Sequence, residues 1–183
     1  MAKTIHLIRH AQSTFNAAYA EAATDPFHFD ARLSPLGLRQ VEEARTRALA
    51  LPCDVVITTP LTRALQTATG LFGGHARIEV ECLHREWQEH SCDMGRSPSL
   101  LAQEFPGLAF DHLDDPWWHH ESPDADGVVI EPMDSLHARL AAFPRWLMAR
   151  SEKAIVVVGH GAFFSHLIGR VPANCEIVAW RPA

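Results

Sequence analysis

Arg9 and His10 stand side by side near the start of the chain, and Gln12, Ser13, Thr14 and Asn16 follow within a few residues. A guanidinium offers a fork of N–H donors that matches a phosphate, and the hydroxyl and amide groups add neutral donors. An imidazole beside such a cation can act as a nucleophile once an electrophilic phosphorus is held in front of it. A second histidine lies in Gly159, His160, Gly161, Ala162, and a second arginine, Arg63, follows Thr59 and Pro60. An arginine in the first turn of a helix opposes the helix dipole. That misfit favours a role in holding an anion there over a plain surface position.

These residues need elements to carry them. Residues 4–8, β-branched and apolar, read as a short buried strand that ends at Arg9 and His10. Residues 54–58 form a second strand, and Thr59 with Pro60 reads as a cap and first-turn proline. The helix after them shows Leu61, Ala64, Leu65 and Ala68 on one face. Residues 77–80 give a third, shorter strand. The continuous apolar run 155–158 suits a central parallel strand covered on both faces, and residues 175–180 suit an edge strand. Helices are expected over the alanine-rich residues 17–23, from Ser34 and Pro35 to near Pro52, and from Ser97 or Ser99 to Phe105. A further helix over 133–150 is expected to kink at Pro144. In such α/β sheets ligands bind at the carboxyl ends of the strands, which is where both histidines fall.

The chain has 183 residues, 47% hydrophobic and 21% charged, which predicts one soluble globular domain over 1–183. The formal charge of −6 argues against nucleic acid as a partner. No apolar run approaches a membrane span, and no signal-peptide core precedes Arg9. Cys53, Cys82, Cys92 and Cys175 are unclustered, as in a reduced, cytoplasmic protein. Residues 106–132, rich in Pro, Gly and Asp, read as a lid or binding loop over the site. His112, His119 and His120 within it fit no standard metal spacing, so neither metal nor cofactor is expected.

The motifs together resemble the histidine phosphatase superfamily, also called phosphoglycerate mutase-like. They are residues 7–16 around Arg9 and His10, residues 59–68 around Arg63, Arg85 with Glu86, and residues 157–161 around His160. The resemblance spans nearly the whole chain and implies a three-layer α/β/α fold whose mostly parallel sheet has one antiparallel strand. It implies His10 as a nucleophile that becomes phosphohistidine, with Arg9, Arg63 and His160 clamping the phosphoryl oxygens. Asn16, Ser13, Gly161 and Ala162 would assist in binding, and Glu86 would protonate the leaving oxygen and later activate water. Such a cationic clamp neutralises phosphoryl charge without a metal ion.

Two positions depart from the family pattern. Ala11 stands where glycine is usual, and His84 stands where an apolar residue is usual before Arg85 and Glu86. Glu89 and Asp93 are therefore alternative acids. Residues 97–138 contain no Lys or Arg but carry Glu104, Asp111, Asp114, Asp115, Glu121, Asp124, Asp126, Glu131 and Asp134. A mutase handling bisphosphates needs extra cations for a second anionic group. The acidic segment instead favours hydrolysis of a small phosphorylated metabolite whose other end is neutral or cationic. Phosphoglycerate mutase-type transfer and a non-catalytic phospho-ligand binder are the alternatives. Trp117 and Trp118 either stack on a sugar or base or anchor the core.

Overall fold

The computed structural model describes residues 3–182. Strand β1 (Thr4–Arg9) is followed by helices α1 (Thr14–Ala22) and α2 (Pro35–Leu49), then β2 (Val55–Thr58), α3 (Thr62–Phe72) and β3 (Ile78–Val80). Helices α4 (Pro98–Glu104) and α5 (Met133–Ala149) precede β4 (Ala154–Gly159), α6 (Gly161–Ile168) and β5 (Ile177–Trp180). The strands form one five-stranded sheet in the order β3-β2-β4-β1-β5, parallel except where β5 runs against β1. The last strand is thus the antiparallel edge.

Strand alternation divides the core in two. Ile8, Val56, Val156 and Val158 face Val41, Ala44 and Ala48 of α2 and Ala64, Ala68 and Leu71 of α3. Ile5, Leu7, Ile57, Ile155 and Val157 face the other way, against Leu136, Phe143 and Leu147 of α5 and Phe163 and Phe164 of α6. Both faces of β4 are therefore covered, as its unbroken apolar run requires. Each fully buried aliphatic side chain contributes about 1.5–3 kcal/mol. This is the three-layer α/β/α arrangement that the sequence implies.

Several boundaries differ from expectation for local reasons. Helix α1 begins at Thr14 because Ser13 caps it, in a reciprocal pair of hydrogen bonds with Asn16 (3.1 Å each). Helix α3 begins at Thr62, not at Thr59. Its first N–H is held by Asp30 Oδ1 at 2.8 Å, leaving Thr59 free for another partner. Helix α5 runs on through Pro144. Residues 106–132 contain no helix or strand, yet Phe110, Trp117, Val128 and Val129 within them are buried. Trp117 packs in a satellite core with Leu61, Leu65 and Val80, and its indole N–H donates to Arg96 O at 2.9 Å. Its role is core anchoring.

Candidate active site

Parallel pairing brings the ends of β1 and β4 level. Arg9 is in register with Gly159, and the His10 N–H donates to Gly159 O at 2.8 Å. His10 and His160 therefore leave adjacent strands side by side, with ring centroids 5.2 Å apart. From the next strand, β2, the chain turns into α3 and delivers Arg63, whose Nε donates to His10 Nε2 at 3.2 Å. The turn after His10 is tied down as well. Ala11 N donates to Thr67 Oγ1 at 3.1 Å, and Asn174 donates to His10 O at 2.8 Å. Ala11 lies outside the positive-φ region, so a Cβ at this position costs no backbone strain.

The hydrogen bonds fix the tautomer of His10. Its Nδ1 lies 2.7 Å from Ala11 O, which can only accept, so Nδ1 carries the proton. Arg63 Nε can only donate, so His10 Nε2 carries the lone pair. Burial, and then the charges of Arg63 and Arg9, hold the His10 imidazole well below its usual range. It is unprotonated at neutral pH. His160 is fully buried and shifted the same way, by burial first and the Arg63 charge next. One of its nitrogens, Nε2, bonds Thr59 Oγ1 at 2.7 Å, and the other, Nδ1, has no partner.

A cleft of about 230 Å³ opens over His10. Arg9, Arg63, Glu86 and Asn16 line it, with Phe15, Tyr19 and Trp87 as apolar walls. Arg9 Nε is buried without a partner, while its Nη1 is held by Pro172 O at 2.9 Å. A Cβ at Gly161 would lie 3.2 Å from the Arg9 guanidinium, so the glycine lets that group lie against the start of α6. The cleft thus presents two guanidinium groups and one imidazole lone pair to any ligand inside it. A larger recess of about 700 Å³, beside Lys3, Met148 and Trp180, lies at the opposite strand ends and holds none of these groups.

Glu86 occupies the far wall. Its carboxylate accepts from Ala162 N (3.0 Å) and Phe163 N (2.8 Å) at the start of α6, and from Trp87 N (3.0 Å). Burial and the neighbouring Asp93 charge push the carboxyl up, against the lowering effect of those N–H groups and of Arg63. The shift favours the protonated form, as an acid requires. Of the alternative acids, Asp93 is the ion-pair partner of Arg63 at 2.8 Å, and both side chains are buried. Arg63 Nη1 also donates to Cys92 O at 2.5 Å. Glu89 is an exposed member of the cleft rim.

The remaining expected binding residues fall as follows. Ser13 is buried as the cap of α1 and does not line the cleft. Asn16 lines it, although its Oδ1 is engaged by Ser13 N. The N–H of Ala162 is taken by Glu86, a pairing that sequence spacing does not show. Trp118 is only partly buried and, like Trp117, lies outside the cleft, whose aromatic walls come from earlier in the chain. His112 bonds Val80 O at 2.9 Å. Asp93 as the partner of Arg63, and Thr59 as the partner of His160, escaped the sequence reading. A carboxylate following a buried cysteine, and a threonine that begins a turn, carry no local mark of such roles.

Known proteins bear on this geometry. The family description "histidine phosphatase superfamily (branch 1)" matches residues 5–181. A phosphoglycerate mutase-like protein of Arabidopsis thaliana is 29% identical over 94% of this chain and 76% of its own length. A 2-carboxy-D-arabinitol-1-phosphatase of Triticum aestivum is 25% identical over 91% of this chain and 32% of its own length. Among solved structures, a mycobacterial glucosyl-3-phosphoglycerate phosphatase superposes with TM-score 0.60 at 19% identity, covering 96% of this chain and 90% of that one. A phosphoserine phosphatase of Entamoeba histolytica gives 0.59 at 19% identity over 98% and 93%. These structures share the fold, and the match across 5–181 carries the assignment: the chain belongs to branch 1 of the histidine phosphatase superfamily.

Proposed function

We propose that the protein hydrolyses small phosphomonoesters through a phosphohistidine on His10. The observation that carries this reading is the pinned tautomer of His10. Its Nδ1–H is spent on Ala11 O, and its Nε2 lone pair faces Arg63 in a cleft that also holds Arg9 and Glu86. A bound phosphoryl group would replace His10 as the acceptor for Arg63 Nε and satisfy the orphaned Arg9 Nε and His160 Nδ1. His10 Nε2 then forms a bond to phosphorus as the ester P–O bond breaks, and the Glu86 proton passes to the departing oxygen. In the second half, water attacks the phosphohistidine and gives its proton to the Glu86 carboxylate. Inorganic phosphate leaves and His10 is regenerated. Arg9 and Arg63 balance the charge on the transferring oxygens throughout.

The surroundings of the cleft support a substrate without a second anionic group. A neighbouring recess of about 250 Å³ shares Tyr19, Glu89 and His90 with the cleft and is lined further by Asp25, Asp124 and Asp126. No Lys or Arg lines that recess. The carboxylates that bear on selectivity are thus Asp25, Glu89, Asp124 and Asp126, and neither Asp114 nor Asp115 lines the cleft or this recess. The test is rapid-quench labelling with phosphorus-labelled substrate in the presence of excess chelator. Acid-labile, base-stable label on His10, absent in His10→Ala, is expected. Undiminished label and turnover in His10→Ala would refute the assignment.

A further inference from the structure

The acid-bearing loop is not part of the sheet, yet it needs the same accuracy as the nucleophile. A buried ionic cluster meets that need. Arg139, on α5, spends its guanidinium on this loop and on one carboxylate. Nη1 donates to Leu83 O (3.1 Å) and Arg85 O (2.9 Å), and Nη2 reaches Glu86 O at 3.4 Å. Nε and Nη2 also hold Glu131 Oε1 and Oε2, at 2.9 and 2.5 Å. Glu131 is 1% exposed, receives Arg85 at 3.0 Å and Ser135 at 2.7 Å, and through its backbone joins Trp87 and Gln88.

The same guanidinium reaches the other side of the acid. Its carbon lies 5.3 Å from the centre of the Phe163 ring, and the Phe163 N–H is one of the donors that hold the Glu86 carboxylate. Arg139 is therefore bonded to the backbone that carries Glu86 and packed on the residue that receives its side chain. It is 7% exposed and is not among the residues that line the cleft.

We propose that Arg139, fixed by Glu131, is a positioning residue that holds Glu86 at the reacting oxygen. A buried ion pair adds little net stability compared with apolar packing, so stability alone does not account for this one. Three carbonyls from four consecutive residues need a planar fork of donors, which lysine cannot supply. This inference rests on Glu86 being the acid of the proposed reaction.

The test compares Arg139→Lys, which keeps the charge opposite Glu131, with wild type on an alkyl and a 4-nitrophenyl phosphate. A misplaced acid matters most when the leaving group is a poor one. Arg139→Lys should lower kcat/KM, which reports the half-reaction in which the ester bond breaks, by about 10–30-fold for the alkyl ester and by less than about 3-fold for the nitrophenyl ester. Active sites are counted from the phosphoenzyme burst, so partial unfolding scales both substrates equally. In a Glu86→Gln background the same substitution should cost almost nothing more, because both changes remove one function. Equal losses on both esters, or full additivity with Glu86→Gln, would overturn the positioning role. Should Arg139→Lys fail to fold, Ser135→Ala with Arg85→Lys loosens Glu131 instead. That pair must show the same split between esters in weaker form, and its absence would overturn the proposal as well. If wild type forms no phosphohistidine, the functional reading fails on its own, independently of every Arg139 result.

Discussion

The two walls of the cleft are built differently. The wall of His10, the proposed nucleophile, hangs on the sheet, where His10 and His160 leave adjacent parallel strands and their spacing is set by backbone hydrogen bonds. The wall of Glu86, the proposed acid, hangs on side chains, in a loop held by Arg85, Glu131 and Arg139 and by the first turn of α6. Sheet geometry is insensitive to most single substitutions, because each strand shares many bonds. A side-chain clamp concentrates the same task in a few groups, any of which can be lost at once. The lesson is that the nucleophile should resist distant mutation, and the acid should not.

Three experiments press on that contrast. The largest effect belongs to Arg63, which belongs to the nucleophile wall but depends on the acid wall for its ion pair with Asp93. Arg63→Met should reduce kcat/KM by about 10²–10³-fold for alkyl and aryl esters alike, since phosphoryl charge develops with either leaving group. A loss confined to alkyl esters would move Arg63 to the acid's side. Next in size is selectivity at the mouth. A monophosphate should be preferred over the matched bisphosphate by roughly 3–10-fold at low ionic strength, shrinking as salt shortens the screening length to about 8 Å. Replacing Asp124 and Asp126 by Asn should narrow the gap, and a bisphosphate favoured at low salt would point to mutase-type transfer.

The smallest effect is on stability. His84 lies fully buried between the walls, with Nε2 3.2 Å from Val158 O and its ring stacked on Phe143. Burial pushes its pKa from 6.5 to about 3. The unfolded chain therefore takes up a proton that the folded protein refuses, so stability is full above about pH 6.5 and falls as pH drops toward 3. His84→Leu should flatten this loss, measured as the difference in urea midpoint between pH 7 and pH 5. An unchanged difference would assign the acid sensitivity to the other histidines that burial lowers, His6, His10 and His160.

Much of the nucleophile wall was legible in the sequence because its two histidines each sit at the end of an apolar run. Residues 155–158 marked the central strand through continuous hydrophobicity, and the residues just beyond such strands pointed to His10 and His160. The acid wall was harder to read. Glu86 stands out only through the family resemblance, since no periodicity surrounds it. Arg139 looks like one polar residue on an amphipathic helix, and Glu131 like one of many acids in a charged loop. Their pairing joins elements that no local pattern relates. Ser13 shows the opposite case: a polar residue just after His10 resembles a ligand donor, while helix capping gave it a nearer partner away from the cleft.

The strand order has a consequence for how the protein comes into being. Strand β4 sits between β2 and β1, so the first strand has no parallel neighbour until residues near 154 have been made. His10 is made long before His160, and its wall is incomplete until His160 follows. Until then β1 lacks the strand that pairs with it in parallel, a state in which chains are exposed to aggregation. A shortened product that stops before β4 would carry His10, Arg63 and Glu86 and still lack the strand that sets His10 in place. The cleft is therefore completed late and all together, once β4 is in place.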